Sequence, residues 1–394
     1  MLRLWAYPFF VAKLPEALTM PWNTRDTMSL KEEFVILARH PSANIRELCR
    51  RFNISPQTGY KWIKRYEAQG VAGLQERSRR PLNSPKQTDA ALAAEVVALR
   101  KEHSAWGGRK ISHALSQKIA PSTVTNVLHR HDLIETDSHA AAKPWKRFEH
   151  ASPNDLWQMD FKGYFQTNQG VCHPLTVVDD HSRFNLAIQA CSCERGAVVQ
   201  ERLTDVFRRY GLPVRINTDN GAPWGAPRNP GELTPLGIWL VRLGICLSFS
   251  RPGHPQTNGK AERFHRSLKA EVLNGRAFRD LLEAQSAFDR WREIYNHQRP
   301  HEAIGFQPPI ARYRISNRSF PSQLPEPEYG PDDILVKPYE SQFRFRKQSF
   351  RIAKALAGYI VAIRPSTKGK DVFDVYFGHH KVRTFDFTKP DGRR

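Results

Sequence analysis

Three changes of periodicity along the chain predict a multidomain protein: all-α helix-turn-helix modules, then an α/β core built on a mixed sheet, then a small all-β barrel. Apolar residues recur at helical spacing up to about residue 136, and from about Pro153 strand-length runs alternate with helices. From about Ile334 strands follow one another with little helix between them. The expected boundaries are 29–80 and 86–136 for the two modules, 150–316 for the core and 333–388 for the barrel. Residues 1–28 read as an extension, and residues 1–19 of it as an upstream addition of no functional importance: "MLRLWAYPFFVAKL" imitates a signal peptide but lacks a small-residue cleavage site. No solenoid period is visible.

In the first module, "SLKEEFVILARH", "NIRELCRRF" and "PQTGYKWIKRYEAQG" are three short helices. Asn44 with Glu47 three residues on resembles a capping box, and Ser55 followed by Pro56 is an N-cap with proline at the first helical position. The third helix turns Gln57, Thr58, Lys61, Lys64 and Arg65 outward and keeps Trp62, Ile63 and Tyr66 for packing. In this basic stretch that pattern suits a helix lying in a DNA major groove. A plain structural three-helix bundle is the alternative. After "ERSRRPLNSPKQ" the pattern returns as "DAALAAEVVALRKEH", "WGGRKISHALSQK" and "PSTVTNVLHRHDLI". The last of these presents Ser122, Thr123, Thr125 and Asn126, and the basic tract "KPWKRFEH" links it to the core.

The runs "LWQMDFKGYF", "CHPLTVVDDHS", "FNLAIQACSC", "PVRINTDNG" and "ICLSFS" are strands, and "ERGAVVQERLTDVFRRYG" and "LTPLGIWLVRLG" are helices. Three strands in succession followed by alternating helix and strand give a sheet of mixed direction. The helix within "HPQTNGKAERFHRSLKAEVL" starts after Thr257 and Asn258, either of which can cap it. Ala261, Phe264, Leu268 and Val272 form its apolar stripe, while Glu262, Arg266 and Lys269 share a separate face. Either Glu262 makes an i,i+4 ion pair with Arg266, contributing about 0.2–0.5 kcal/mol, or it holds a cation while the basic residues hold phosphates.

Composition narrows the choice. The 394 residues carry a formal net charge of +21, with 40% hydrophobic and 25% charged residues. A folded soluble protein with a nucleic-acid partner fits this balance. The five cysteines are odd in number and form no CxxC pair, which points to a reduced cytoplasm. No apolar run approaches the roughly 18 residues that span a membrane, so no membrane partner is expected.

Asp160 lies on a largely buried strand, where a charge is costly unless paired or cation-bound. Asp219 lies where another strand runs out into "DNG", the sheet edge at which α/β proteins place functional residues. With Glu262 they supply the hard oxygen donors that Mg²⁺ prefers, and two such ions about 4 Å apart suit in-line phosphoryl transfer. Asp179 and Asp180 in "VVDDHSR" compete with them, as turn formers or, for Asp180, as a support to the site.

Together "MDFKGYF", "TVVDDHSRF", "RINTDNG", "GHPQTNGKAERFHRSLK" and "YNHQRPHEAI" resemble the catalytic core of bacterial insertion-sequence transposases of the DDE class, relatives of retroviral integrases with a ribonuclease H-like fold. The resemblance covers about residues 29 to 316. It implies that Asp160, Asp219 and Glu262 are the metal-binding triad, holding two Mg²⁺ (or Mn²⁺) ions. It also implies that Arg266 and Lys269 contact DNA, and that Asn258, Gly259 and Lys260 belong to a mobile active-site loop. Asn258, Lys260 and Arg263 are counted with the DNA contacts, and "YNHQRPH" is a closing helix with a packing role. Implied partners are double-stranded DNA, as element ends and target, and further copies of the chain assembled on it in a bacterial nucleoid. The sequence departs from retroviral integrases in opening with helix-turn-helix modules rather than a His/Cys zinc module. Cys191, Cys193, His379 and His380 are expected to be ordinary residues. A DNA-binding regulator with an inert core and a plain metal-dependent nuclease are the rival functions.

Overall fold

The computed structural model describes residues 26–77, 87–134, 149–226, 229–250 and 259–386. The N-terminal extension through residue 25, most of the two basic linkers and the caps expected at Thr257 and Asn258 lie outside the described residues. Two compact units divide the chain, one ending at Gln87 and the other beginning at Thr88.

The first unit holds α1 (Thr27–Ala38), α2 (Ile45–Arg51) and α3 (Pro56–Gln69). Asn44 caps α2 by accepting from the Glu47 amide, and Ser55 caps α3 by accepting from the Thr58 amide. Glu47 pairs with Arg50 at 2.8 Å. Phe34, Val35, Leu48, Cys49, Trp62 and Leu74 make the core. The helices meet closely at Gly59, where an added Cβ would stand 2.6 Å from Cys49 Sγ and 2.8 Å from Phe34 Cζ. A side chain there has nowhere to go.

The second unit opens with α4 (Ala90–Glu102), α5 (Gly108–Ala114) and α6 (Pro121–Arg130), packed around Val96, Trp106, Ile111, Val124 and Leu128. It continues with β1 (Leu156–Phe161), β2 (Phe165–Thr167), β3 (Gly170–Asp179), β4 (Asn185–Cys191) and α7 (Gly196–Tyr210). Next come β5 (Arg215–Thr218), β6 (Gly225–Ala226), β7 (Asn229–Leu233), α8 (Pro235–Arg242), β8 (Cys246–Phe249), α9 (Gly259–Leu268) and α10 (Leu281–His297). Strand β3 pairs antiparallel with β1, β2 and β4, while β1, β5 and β8 run parallel. The sheet is mixed, as the order of strands and helices predicts.

Alternation sorts the sheet's side chains between two cores. Trp157, Met159, Leu175, Val177 and Ile216 face α7 and α8, where Leu203, Phe207, Leu236 and Trp239 cover them. Val178 and Ile188 face the other way, against Phe264 and Leu268 of α9 and Phe288, Trp291 and Tyr295 of α10. The site develops on this second face. Docked near the end of α10 is the second helix-turn-helix module: Arg109 pairs with Glu302 at 2.7 Å, and the His113 ring stacks on Phe306 at 4.1 Å.

The tail comprises β9 (Ile334–Val336), β10 (Gln342–Phe345), β11 (Gln348–Arg351), β12 (Val361–Pro365), β13 (Val372–Phe377) and β14 (His380–Asp386). Among the described residues these strands form an open antiparallel sheet in the order β14-β13-β12-β9 and a separate β10-β11 hairpin, not the closed barrel expected. Alternation fixes which residues face inward, as Phe343, Phe350, Val361, Val375 and Phe377 do. It says nothing about which edges meet. No described helix is long and apolar enough to cross a membrane.

Candidate functional site

The parallel ladder between β1 and β5 runs from Leu156 opposite Arg215 to Gln158 opposite Asn217. Two residues beyond that last pair in each chain come Asp160, still within β1, and Asp219, just past the end of β5. Neighbouring strands lie about 4.8 Å apart, so the topology brings the backbone at these two positions to the C-terminal edge of the parallel strands. The Gly221 amide donates to Asp219 Oδ1 at 3.2 Å. Desolvation raises the Asp219 pKa from its ordinary value, against the Gly221 hydrogen bond and with the charge of Glu194 adding.

Helix α9 lies against β1 on this face. Its stripe Ala261, Phe264, Leu268 and Val272 is buried, while Glu262, Arg263, Arg266 and Lys269 are exposed. Among the described residues no ion pair forms between Glu262 and Arg266, or on Arg263 or Lys269. Lys269 opens a single π-helical turn, Lys269–Leu273. One turn past Glu262, the buried His265 reaches Thr176 Oγ1 with Nε2 at 2.7 Å, and the same hydroxyl donates to the Asp160 carbonyl at 3.0 Å. Because the hydroxyl proton is committed to that carbonyl, Nε2 carries the proton of this bond. Burial holds the His265 pKa down to about 4.

Asp160, Asp219 and Glu262 thus border one region. They do not converge further: among the described residues no three Cys, His, Asp or Glu side chains gather closely enough to hold a metal ion.

The neighbouring aspartates divide by face. Asp179, fully buried, accepts from the Asn154 amide at 2.7 Å and from the Ser182 amide and hydroxyl at 2.8 and 2.6 Å, which ties it into its own turn. Burial raises its pKa, against those hydrogen bonds. Asp180 turns toward α9. It accepts from Gln158 Nε2 and the His150 amide, each at 2.9 Å, and pairs with Lys260. The sequence predicts a DNA contact for Lys260; its ammonium is instead enclosed against Asp180, since a buried carboxylate draws the nearest cation inward. Asn258 lies outside the described residues.

On α3, Gln57, Lys61 and Lys64 are exposed; Thr58 is half-buried, its hydroxyl 2.9 Å from Ser55 Oγ, and Arg65 is half-buried over the Trp62 ring. On α6, Ser122 and Asn126 are exposed and Thr123 is half-buried. The "YNHQRPH" segment packs. The Tyr295 ring meets Phe264 edge-on at 4.9 Å, and Asn296 exchanges two hydrogen bonds with the Asn185 backbone. Arg299 forms a buried pair with Glu271 at 2.9 Å. Sequence reasoning passes over Gln158 and His265. Gln158 is signalled by alternation, two residues before Asp160 on the same face; a buried histidine in a basic helix leaves no such mark.

Comparison with known proteins matches the Integrase core domain family at residues 150–255 and again at 243–309, a Helix-turn-helix domain at 30–81 and a Homeodomain-like domain at 58–128. The insertion element IS476 39.2 kDa protein of Xanthomonas euvesicatoria is 30% identical over 257 residues, 62% of this chain and 71% of that protein. The insertion element IS407 31.7 kDa protein of Burkholderia multivorans is 28% identical over 57% of this chain and 81% of its own length. The transposase of insertion sequence element IS904 from Lactococcus lactis is 24% identical over 59% of this chain and 96% of its own.

Proposed function

Because this chain belongs to the insertion-sequence transposases that carry an integrase core behind N-terminal helix-turn-helix domains, we propose that Asp160, Asp219 and Glu262 are the carboxylates through which it cuts and joins DNA. The enzyme is a DDE-type transposase, acting in DNA integration and transposition. One observation supports the assignment of residues: β1 and β5 pair in parallel up to Gln158 opposite Asn217, each two residues short of Asp160 and Asp219, and α9, which carries Glu262, is hydrogen-bonded to β1 through Ala261 and Gln158.

The donor set fits a hard divalent cation, since all three residues offer carboxylate oxygens and Glu262 has no internal ion-pair partner among the described residues. Three carboxylates repel one another until positive charge is shared among them. Two Mg²⁺ or Mn²⁺ ions, when bound, supply that charge and polarise the attacking and leaving oxygens. The chain itself holds and orients: β1 and β5 fix the two aspartates, the His265–Thr176 bond fixes the turn of α9, and Arg263, Arg266 and Lys269 face the phosphates. The exposed Gln57, Lys61, Lys64, Ser122 and Asn126 read the element's ends; Thr58, Arg65 and Thr123 support those helices. The basic β tail adds backbone contacts, further copies join on the DNA, and the protein works in the bacterial cytoplasm on the nucleoid.

Asp160→Asn, Asp219→Asn and Glu262→Gln should each abolish cleavage while leaving end binding nearly intact. A gel of donor and target DNA tests this. Strand-transfer products from the wild type separate a transposase from a nuclease, binding without either product would mark an inert regulator, and full cleavage by Glu262→Gln would remove the assignment.

A further inference from the structure

We propose that Asp180, Gln158 and Lys260 form a positioning clamp that ties α9 at Lys260 and Ala261 to β1 and so aims Glu262 at Asp160. The inference rests on the catalytic role given to those two carboxylates. Asp180 is 1% exposed, beyond the end of β3. Both its oxygens are engaged: Oδ1 accepts from Gln158 Nε2, and Oδ2 accepts from the His150 amide and pairs with Lys260. It is therefore not available as a ligand or a base.

Gln158 is the link. While its amide nitrogen donates to Asp180, its carbonyl oxygen accepts from the Ala261 backbone amide at 3.1 Å. The acceptor lies on β1, two residues before Asp160 and on the same face. This backbone amide of α9, next to Glu262, is thus tied to the strand that carries the opposing carboxylate. Lys260, flanking Ala261, adds the second tie, and His265 on Thr176 fixes the helix one turn later. Around the pair, Arg183 also acts on Asp180 through its charge while pairing with Glu149 at 2.9 Å, but the direct contact with the Asp180 carboxylate is made by Lys260. Glu262 adjoins Ala261, and a displacement of its carboxylate by about 1 Å is enough to lower a rate about a hundredfold.

The test uses the full chain with element-end DNA. Lys260→Met and Asp180→Asn should each slow cleavage by about a hundredfold, whereas Lys260→Arg, which keeps the charge, should stay within about tenfold. Because the two residues act on each other, the double variant should be no slower than the slower single variant. Gln158→Leu should speed hydrogen exchange of the first-turn amides of α9 and slow cleavage, with end binding unchanged. Losses that multiply in the double variant would instead make Lys260 an independent DNA contact and overturn the clamp; native exchange in Gln158→Leu would overturn it too. Should Asp180→Asn fail to fold, Gln158→Leu, which buries no unpaired charge, decides alone. Glu262→Gln separates the two readings. It should exchange like the wild type and not cleave; if it cleaves, the catalytic assignment fails while the exchange result still judges the clamp.

Discussion

Acidification should weaken the core through His265, and the size of the effect is set by its surroundings. The ring is 8% exposed, neutral, and donates from Nε2 to Thr176. Its pKa is pushed down to about 4 from 6.5, chiefly by burial and then by the charge of Lys162. Above pH 6.5 the ring is neutral in folded and unfolded chains, and it contributes nothing to pH dependence. Between pH 6.5 and about 4 the unfolded chain takes the proton more readily, so stability falls by about 1.4 kcal/mol per pH unit. At pH 5 the loss is about 2 kcal/mol, and below pH 4 it levels off near about 3 kcal/mol. His301 and His380 are also held below their ordinary value by burial, so the wild type alone does not isolate the effect. His265→Gln does: the Gln amide nitrogen takes the place of Nε2–H and does not titrate. Urea unfolding of the full chain, followed through the core tryptophans at pH 7.5 and pH 5, should show the variant losing about 2 kcal/mol less than the wild type. Equal losses in the two proteins would refute the reasoning.

Gly59→Val should destabilise the first unit by at least about 1–3 kcal/mol, since even a Cβ would meet Cys49 and Phe34. Calorimetry should show the transition of that unit lowered and the core's unchanged. Arg299→Met should lower the core's unfolding free energy by about 3–5 kcal/mol by leaving Glu271 buried without its cation. Arg299→Lys should recover a part of it, because the two-nitrogen fork on Glu271 is missing from a lysine; urea unfolding measures both. Replacing Arg266 and Lys269 by Ala should weaken binding equally on element-end and random DNA and flatten its salt dependence by up to about 0.9 for each phosphate no longer neutralised. Gln57→Ala should weaken end binding alone, and isotherms at several salt concentrations distinguish the two.

The faces of the elements are legible in the sequence because a side chain's direction is local. Trp157 and Met159 alternate with Gln158 and Asp160, and Ala261, Phe264 and Leu268 recur at helical spacing, so each residue's face is set by its neighbours in sequence. Strand order carries one step further: Asp160 and Asp219 lie near the ends of β1 and β5, two strands that pair in parallel. Partners brought from afar are not. Lys260 in a basic helix looks like any surface lysine until β3 delivers Asp180 to it, and Asp180 looks like a turn former until Gln158 reaches it from β1. The expectation of a closed tail fails for a related reason: Val361 and Phe377 declare their inward face, while closure depends on whether distant edges meet.

Helix α8 is buried on two opposite sides. Leu236, Trp239 and Leu240 belong to the core beneath the sheet, whereas Ile238 and Val241 belong to the core of the tail, with Phe350, Val361 and Phe377. Hydrogen bonds reinforce the junction: Arg242 donates to the carbonyls of Leu324 and Pro325, and Arg318 to those of Leu243 and Gly244. A chimaera that exchanges C-terminal segments between related enzymes at the apparent linker before Ile334 would graft a foreign apolar surface onto this helix. The natural seam for such an exchange is not a point in the chain but one side of α8, and a donor tail has to bring its own residues for positions 238 and 241.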